Sequence, residues 1–105
     1  MAIAEISVVP LGTGTPSVSK YVARAIEVLQ QEKGIRYELS PMGTTIEGDL
    51  DKILMAAKKM HEVLFQQGAA RVLTMIRIDD RRDKVASMKD KVDSLKRELE
   101  RRPSQ

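Results

Sequence analysis

Cysteine is absent from this chain of 105 residues, which excludes disulfides, thiol nucleophiles and thiolate metal sites together. His61 is the one histidine, which argues against an imidazole-rich metal centre. Aromatic side chains are scarce, with two tyrosines, one phenylalanine and no tryptophan. No apolar run approaches the roughly 18 to 20 residues that a membrane-spanning helix needs. The opening MAIAEISVVP has no basic stretch and carries Glu5 inside its apolar run, so it reads as a strand and not as a secretion signal. The expectation is a soluble, cytoplasmic protein with no metal and no cofactor.

A basic block is missing too. The net charge is +3, and all of the excess lies late in the chain: residues 1–76 hold 8 basic and 8 acidic side chains, residues 77–105 hold 10 and 7. The late charges alternate in sign, as on a solvated helix, so nucleic acid is not an expected partner. What is present is an apolar share of 42% on a length that fits one domain, residues 1–105, but buries only a shallow core by itself.

Residues 2–9, AIAEISVV, put Ala2, Ala4, Ile6 and Val8 on one side of a period-2 strand. PLGTGTPS follows as a loop, and Thr15 with Pro16 is expected to cap and start a helix. In VSKYVARAIEVLQQEKG the residues Val18, Val22, Ala25, Ile26 and Leu29 form one apolar stripe, with Gly34 as the C-terminal stop. IRYELS alternates as a half-buried strand and TTIEG, after the SPMG turn, as its hairpin partner. Asp49 or Gly48 then caps a helix with Ile53, Ala57, Met60 and Leu64 on one face, ended by Gly68. RVLTMIRID is the last strand, with Val72, Thr74, Ile76 and Ile78 on one face, and Asp83 is expected to cap a polar helix over about 83–102.

The order β-α-β-β-α-β plus a helix has few right-handed connections. The ferredoxin-like split βαβ is the natural solution: an α+β sandwich of a four-stranded antiparallel sheet with two helices on one face and a C-terminal helix outside that core. The second face of such a sheet needs cover. The last helix carries a narrow seam, Val85, Met88, Val92, Leu95 and Leu99, at spacings of 3 and 4. Self-association through this seam or through the open sheet face is expected; the alternative is that the helix folds back on its own sheet.

Two stretches carry polar groups that turn chemistry does not use up. In PMGTTIEG the turn formers and the strand-forming Thr44, Thr45 and Ile46 explain themselves, and Glu47 does not. Facing a concavity, Glu47 would bind a cation or a ring amine, with the Thr44 and Thr45 hydroxyls beside it. The loop LGTGTPSVS exposes backbone amides ahead of a helix N-terminus, where phosphate or sulfate could sit, but it matches no nucleotide-binding fingerprint. His61 is expected at the boundary of the core without catalytic duty. Asp49 with Asp51 and Asp79 with Asp80 are expected to satisfy backbone donors at element ends, and Met42, Met55, Met60, Met75, Met88, Phe65 and Tyr37 to fill the core. There is no acid/base dyad, and no pair of exposed aromatics on the first and third strands as in RNA-binding sheets.

The run YELSPMGTTIEG, with LGTGTPSVSKYV before it and ARVLTMIRIDDRRDK after it, resembles the small thiamine-binding-protein family, long catalogued as proteins of unknown function. The resemblance spans nearly the whole chain. It implies a ferredoxin-like subunit, assembly into dimers and tetramers, and binding of thiamine or a related pyrimidine without catalysis. Carried over residue by residue, it implies a pocket lined by Thr13, Ser17 and Ser19 near the first helix and by Thr44, Thr45 and Glu47 in the hairpin. The alternative is a structural assembly protein with no small ligand of its own.

Overall fold

A computed structural model of the chain describes residues 1–83 and 87–102. It contains β1 (Ala2–Leu11), α1 (Ser19–Gln30), β2 (Ile35–Ser40), β3 (Gly43–Gly48), α2 (Leu50–Gln66), β4 (Arg71–Asp79) and α3 (Met88–Arg101). The strands form one sheet in the order β2-β3-β1-β4, antiparallel throughout. This is the ferredoxin-like order, with β1 at the centre because both crossovers return the chain to its flanks.

Alternation along β1 decides which face meets the helices. Ala2, Ala4, Ile6 and Val8 are buried, whereas Ile3, Glu5, Ser7 and Val9 are not. Ile6 lies opposite Thr44 in β3 and Ile76 in β4, so these three side chains share the helix-facing side. Against them pack Ala25 and Leu29 of α1 and Ile53, Ala56, Ala57, Met60, Val63 and Leu64 of α2. Complete burial of a side chain such as Ile53 or Leu64 contributes about 1.5–3 kcal/mol. His61, at the core's margin, holds α2 to β4 through a 2.7 Å contact between its Nδ1 and the Thr74 hydroxyl.

Helix ends differ from expectation in instructive ways. α2 ends as expected: Gly68 takes φ +102, its N–H donates to the Phe65 carbonyl and that of Ala69 to the Leu64 carbonyl, the paired closure of a Schellman end. α1 begins only at Ser19, with Val18 in the cap position and no side-chain cap. Thr15 is used locally instead, its hydroxyl accepting from the Ser17 N–H and its carbonyl accepting from the Thr13 hydroxyl. α1 also stops early, at Gln30, and Gly34 with φ +81 turns the chain into β2. The last helix starts at Met88: Ser87, not Asp83, is its N-cap, paired reciprocally with Asp90 in a capping box. Val85 of the expected seam lies outside the described residues.

α3 contributes no buried residue. Val92, Leu95 and Leu99 are exposed along it. A Cα radius of gyration of 16.1 Å, against about 13 Å for a compact chain of 100 residues, reflects this helix projecting from the sheet. The core-filler role expected of these methionine and aromatic side chains holds for Met60 and, in part, for Tyr37. It fails for Met42, Met55, Met75 and Phe65, which are exposed because they fall on the hairpin tip, the outer helix surface and the helix-free face of the sheet.

Candidate functional site

Between α1, β1 and the β2–β3 hairpin lies a cavity of about 630 Å³, within the size range of small-molecule sites. Helical spacing aims one side of α1 into it: Ser19, Val22, Ile26 and Gln30 all line it, at intervals of 3 and 4 residues. The hairpin supplies Leu39, Ser40, Pro41, Met42, Gly43 and Thr44. Its tip is fixed by the Ser40 hydroxyl, which donates to the Gly43 carbonyl at 3.0 Å. The Gln30 side-chain amide donates to the Tyr37 hydroxyl at 2.9 Å, tying α1 to β2 at the cavity's edge.

The lining is mostly apolar, with polar groups at a few places. Thr44 is buried at 4% exposure, and its hydroxyl has no hydrogen-bond partner among the described residues. Glu27 is the one charged side chain among the lining residues; its carboxylate meets Arg24 at 3.1 Å across one helical turn. The N-terminus of α1, uncapped by any side chain, opens here through Val18 and Ser19. It presents backbone N–H groups and the positive end of the helix dipole.

Of the expected site residues, the structure brings Ser19 and Thr44 to this cavity. Thr13 and Ser17 stay in the β1–α1 loop, bridged through Thr15. Thr45 and Glu47 lie on the opposite face of the sheet, because Thr45 faces Glu5 and Glu47 faces Ile3 across the β1 ladder, and one residue of shift along a strand exchanges the faces. Glu47 is nonetheless buried, at 3% exposure. Its Oε2 accepts the Met88 backbone N–H at 2.8 Å and its Oε1 lies 3.6 Å from the Arg36 guanidinium. Its carboxylate therefore serves the start of α3, and Glu27, Gln30, Ser40 and Met42 line the cavity without having been expected there. The signal that could have found the first two is the helical period counted forward from Ser19.

Other titratable groups sit away from the cavity. Asp79 pairs with Lys91 of α3 and Asp80 with Arg82, so these two acids serve side chains and not the backbone donors expected. Arg82, hydrogen-bonded to Asp80, holds that carboxyl below its ordinary range, and Asp83 raises Arg81 in the same way. Among the described residues no cluster of histidine and acidic groups is placed to hold a metal ion, and no helix is long and apolar enough to cross a membrane.

A four-stranded antiparallel sheet with two helices on one face and a hairpin-flanked cavity between them defines a ferredoxin-like α+β domain. Residues 4–96 match the family described as thiamine-binding protein, and the chain belongs to that family. It is 47% identical to the UPF0045 protein YqgV of Bacillus subtilis, over 95% of this chain and 99% of that protein. The crystal structure of the hypothetical protein MJ1052 from Methanocaldococcus jannaschii matches with a TM-score of 0.84 at 40% identity, over 90% of this chain and 95% of that one. A Thermotoga maritima structure, provisionally described as a thiamine biosynthesis/salvage protein, matches with a TM-score of 0.73 at 28% identity, over 90% and 97% of the two chains.

Proposed function

We propose that the protein is a non-catalytic, cytoplasmic binder of thiamine or its aminopyrimidine portion, working as a homo-oligomer, with the ligand held in the cavity between α1 and the hairpin. The observation that carries this reading is the presence of the Thr44 hydroxyl, free of any partner among the described residues, and of a single carboxylate, Glu27, in a lining otherwise dominated by apolar side chains. Hydroxyls suit the donor and acceptor edge of an aminopyrimidine, and a carboxylate suits a cationic thiazolium. Neutral hydrogen bonds contribute about 0.5–1.5 kcal/mol each and those to charged groups about 1.5–3 kcal/mol, so Glu27 favours the cationic whole molecule over the neutral pyrimidine. The lining offers hydroxyls, one amide and one carboxylate, a set suited to recognition. Titration calorimetry with thiamine, its phosphates and the hydroxymethyl pyrimidine tests the proposal. Saturable heat is expected with thiamine, and its absence at millimolar ligand would sink it.

The second reading, an assembly protein without a small ligand of its own, is favoured by the exposed seam Val92, Leu95 and Leu99 on α3. Both readings include self-association, and calorimetry separates them.

A further inference from the structure

β1 outruns the hairpin beside it. Its pairing with β3 ends where Ile6 lies opposite Thr44, yet β1 continues to Leu11 with β4 alone as its neighbour. Which backbone groups this leaves open follows from Ile6. A β-carbon placed on Gly43 would lie 2.9 Å from the Ile6 carbonyl oxygen, so that carbonyl points toward β3 and away from β4. Backbone direction alternates along a strand, so Val8, two residues on, turns its N–H and C=O to the same side as Ile6. Pro10, the next residue with this orientation, has no N–H to offer, and a strand tolerates proline where the N–H side has no ladder partner. The backbone groups of Ser7 and Val9 point the other way, to β4, where these residues lie opposite Met75 and Leu73.

The β2–β3 turn does not take up these groups: among the described residues no turn and no side chain hydrogen-bonds the Val8 backbone. Val8 is only 5% exposed, and buried backbone groups are ordinarily satisfied. What lies against it is the cavity between α1 and the hairpin, lined by Ile6, Ser7, Val8 and Val9 in succession. Consecutive side chains of a strand point to opposite faces, so such a succession reaches one cavity only where the cavity meets the edge of the strand. We propose that the N–H and C=O of Val8 read the ring of the ligand in this cavity, and that they select rings bearing an exocyclic amine beside a ring nitrogen. The Val8 N–H donates to the ring nitrogen and the amine donates to the Val8 carbonyl, one donor and one acceptor on each side. This rests on the reading above and deepens it: Glu27 suits the cationic part of thiamine, and the Val8 backbone suits its aminopyrimidine.

The 4-oxo analogue of thiamine reverses both groups, its ring nitrogen carrying a proton and its oxygen accepting. In the same pose donor then faces donor and acceptor faces acceptor, and calorimetry should show it binding about a hundredfold more weakly than thiamine. Amide exchange followed by NMR on the unaltered chain locates the contact. In the free protein the Val8 N–H should exchange faster than those of Ser7 and Val9, and saturation with thiamine, or with the hydroxymethyl pyrimidine alone, should slow it about tenfold or more. Val8→Pro deletes the donor without touching the β1–β4 ladder, and should bind thiamine about tenfold more weakly; the exchange measurement decides whether or not this variant folds. Thiamine that binds while Val8 exchange is unchanged, or a 4-oxo analogue that binds as tightly as thiamine, overturns the role of Val8 and leaves the thiamine reading in place. No heat from either thiamine or the pyrimidine removes that reading, and the role of Val8 with it.

Discussion

The Glu47 carboxylate accepts the backbone N–H of Met88 at 2.8 Å, joining the third strand to the first turn of a helix 41 residues further along the chain. An acid at a helix N-terminus satisfies an orphan donor and complements the dipole. Arg36 on the neighbouring strand, 3.6 Å away, offsets part of the cost of burying the charge. Glu47→Ala removes this acceptor and is expected to destabilise the protein by about 1–3 kcal/mol. Glu47→Gln keeps an acceptor and should lose less. Since Glu47 lies on the sheet face opposite the cavity, thiamine affinity measured by calorimetry on the folded variants should change less than twofold. A large loss of affinity with unchanged stability would return Glu47 to the binding site.

Within the cavity the roles are reversed. Thr44→Val keeps the shape of the side chain and deletes a hydroxyl that has no protein partner among the described residues, so folding stability should hold within about 0.5 kcal/mol. Ligand affinity should fall about tenfold, the equivalent of roughly 1.4 kcal/mol. Glu27→Gln should weaken thiamine more than the neutral pyrimidine, because only the former loses a charged partner. Equal losses for the two ligands would remove Glu27 from contact with the thiazolium. Calorimetry and thermal melts on the same samples give both readings.

How far all this is legible in the chain itself depends on the range of the interaction. Period-2 alternation at Ala2, Ala4, Ile6 and Val8 and helical periods in α1 and α2 reveal the core, because burial acts on every residue of a face. Gly68 is legible for the same reason: a glycine one position past an amphipathic stripe meets a local geometric need. Thr15 with Pro16 is an equally local signal and misleads, since the loop uses the threonine in its own turns. Asp83 and Ser87 are both good cap residues, and the reciprocal pairing of Ser87 with Asp90 marks the true start. The partner of Glu47 is invisible in sequence because it is a backbone N–H brought near only by the tertiary fold. Glu27 escapes notice because an acid on an exposed helix turn beside Arg24 resembles an ordinary surface pair.

Gly43 explains why the hairpin motif carries a glycine where the strand begins. A β-carbon there would sit 2.9 Å from the Ile6 carbonyl oxygen, a backbone atom fixed in the central strand. Either β1 or the hairpin must then move. Gly43→Ala is expected to cost about 1–3 kcal/mol and to distort the cavity that the hairpin lines, so thermal stability and ligand affinity should fall together. A variant as stable as the parent would show that the hairpin relaxes freely away from β1.

The capping box of α3 gives the opposite kind of expectation, a local effect without a global one. Ser87 accepts from the Asp90 N–H and donates its own backbone N–H to the Asp90 carboxylate, and loss of such a cap costs a helix about 1 kcal/mol. Because α3 contributes no buried residue, that loss should stay within the helix and leave the sheet and its two packed helices unaffected, as for a segment that opens separately from the core. Ser87→Ala should therefore raise amide exchange in α3 about fivefold, the rate equivalent of 1 kcal/mol, while exchange in β1 and α2 stays at the parent rate. A matching rise in β1 would show that α3 unfolds only with the whole domain, and that its hold on Glu47 and Asp79 couples it to the core.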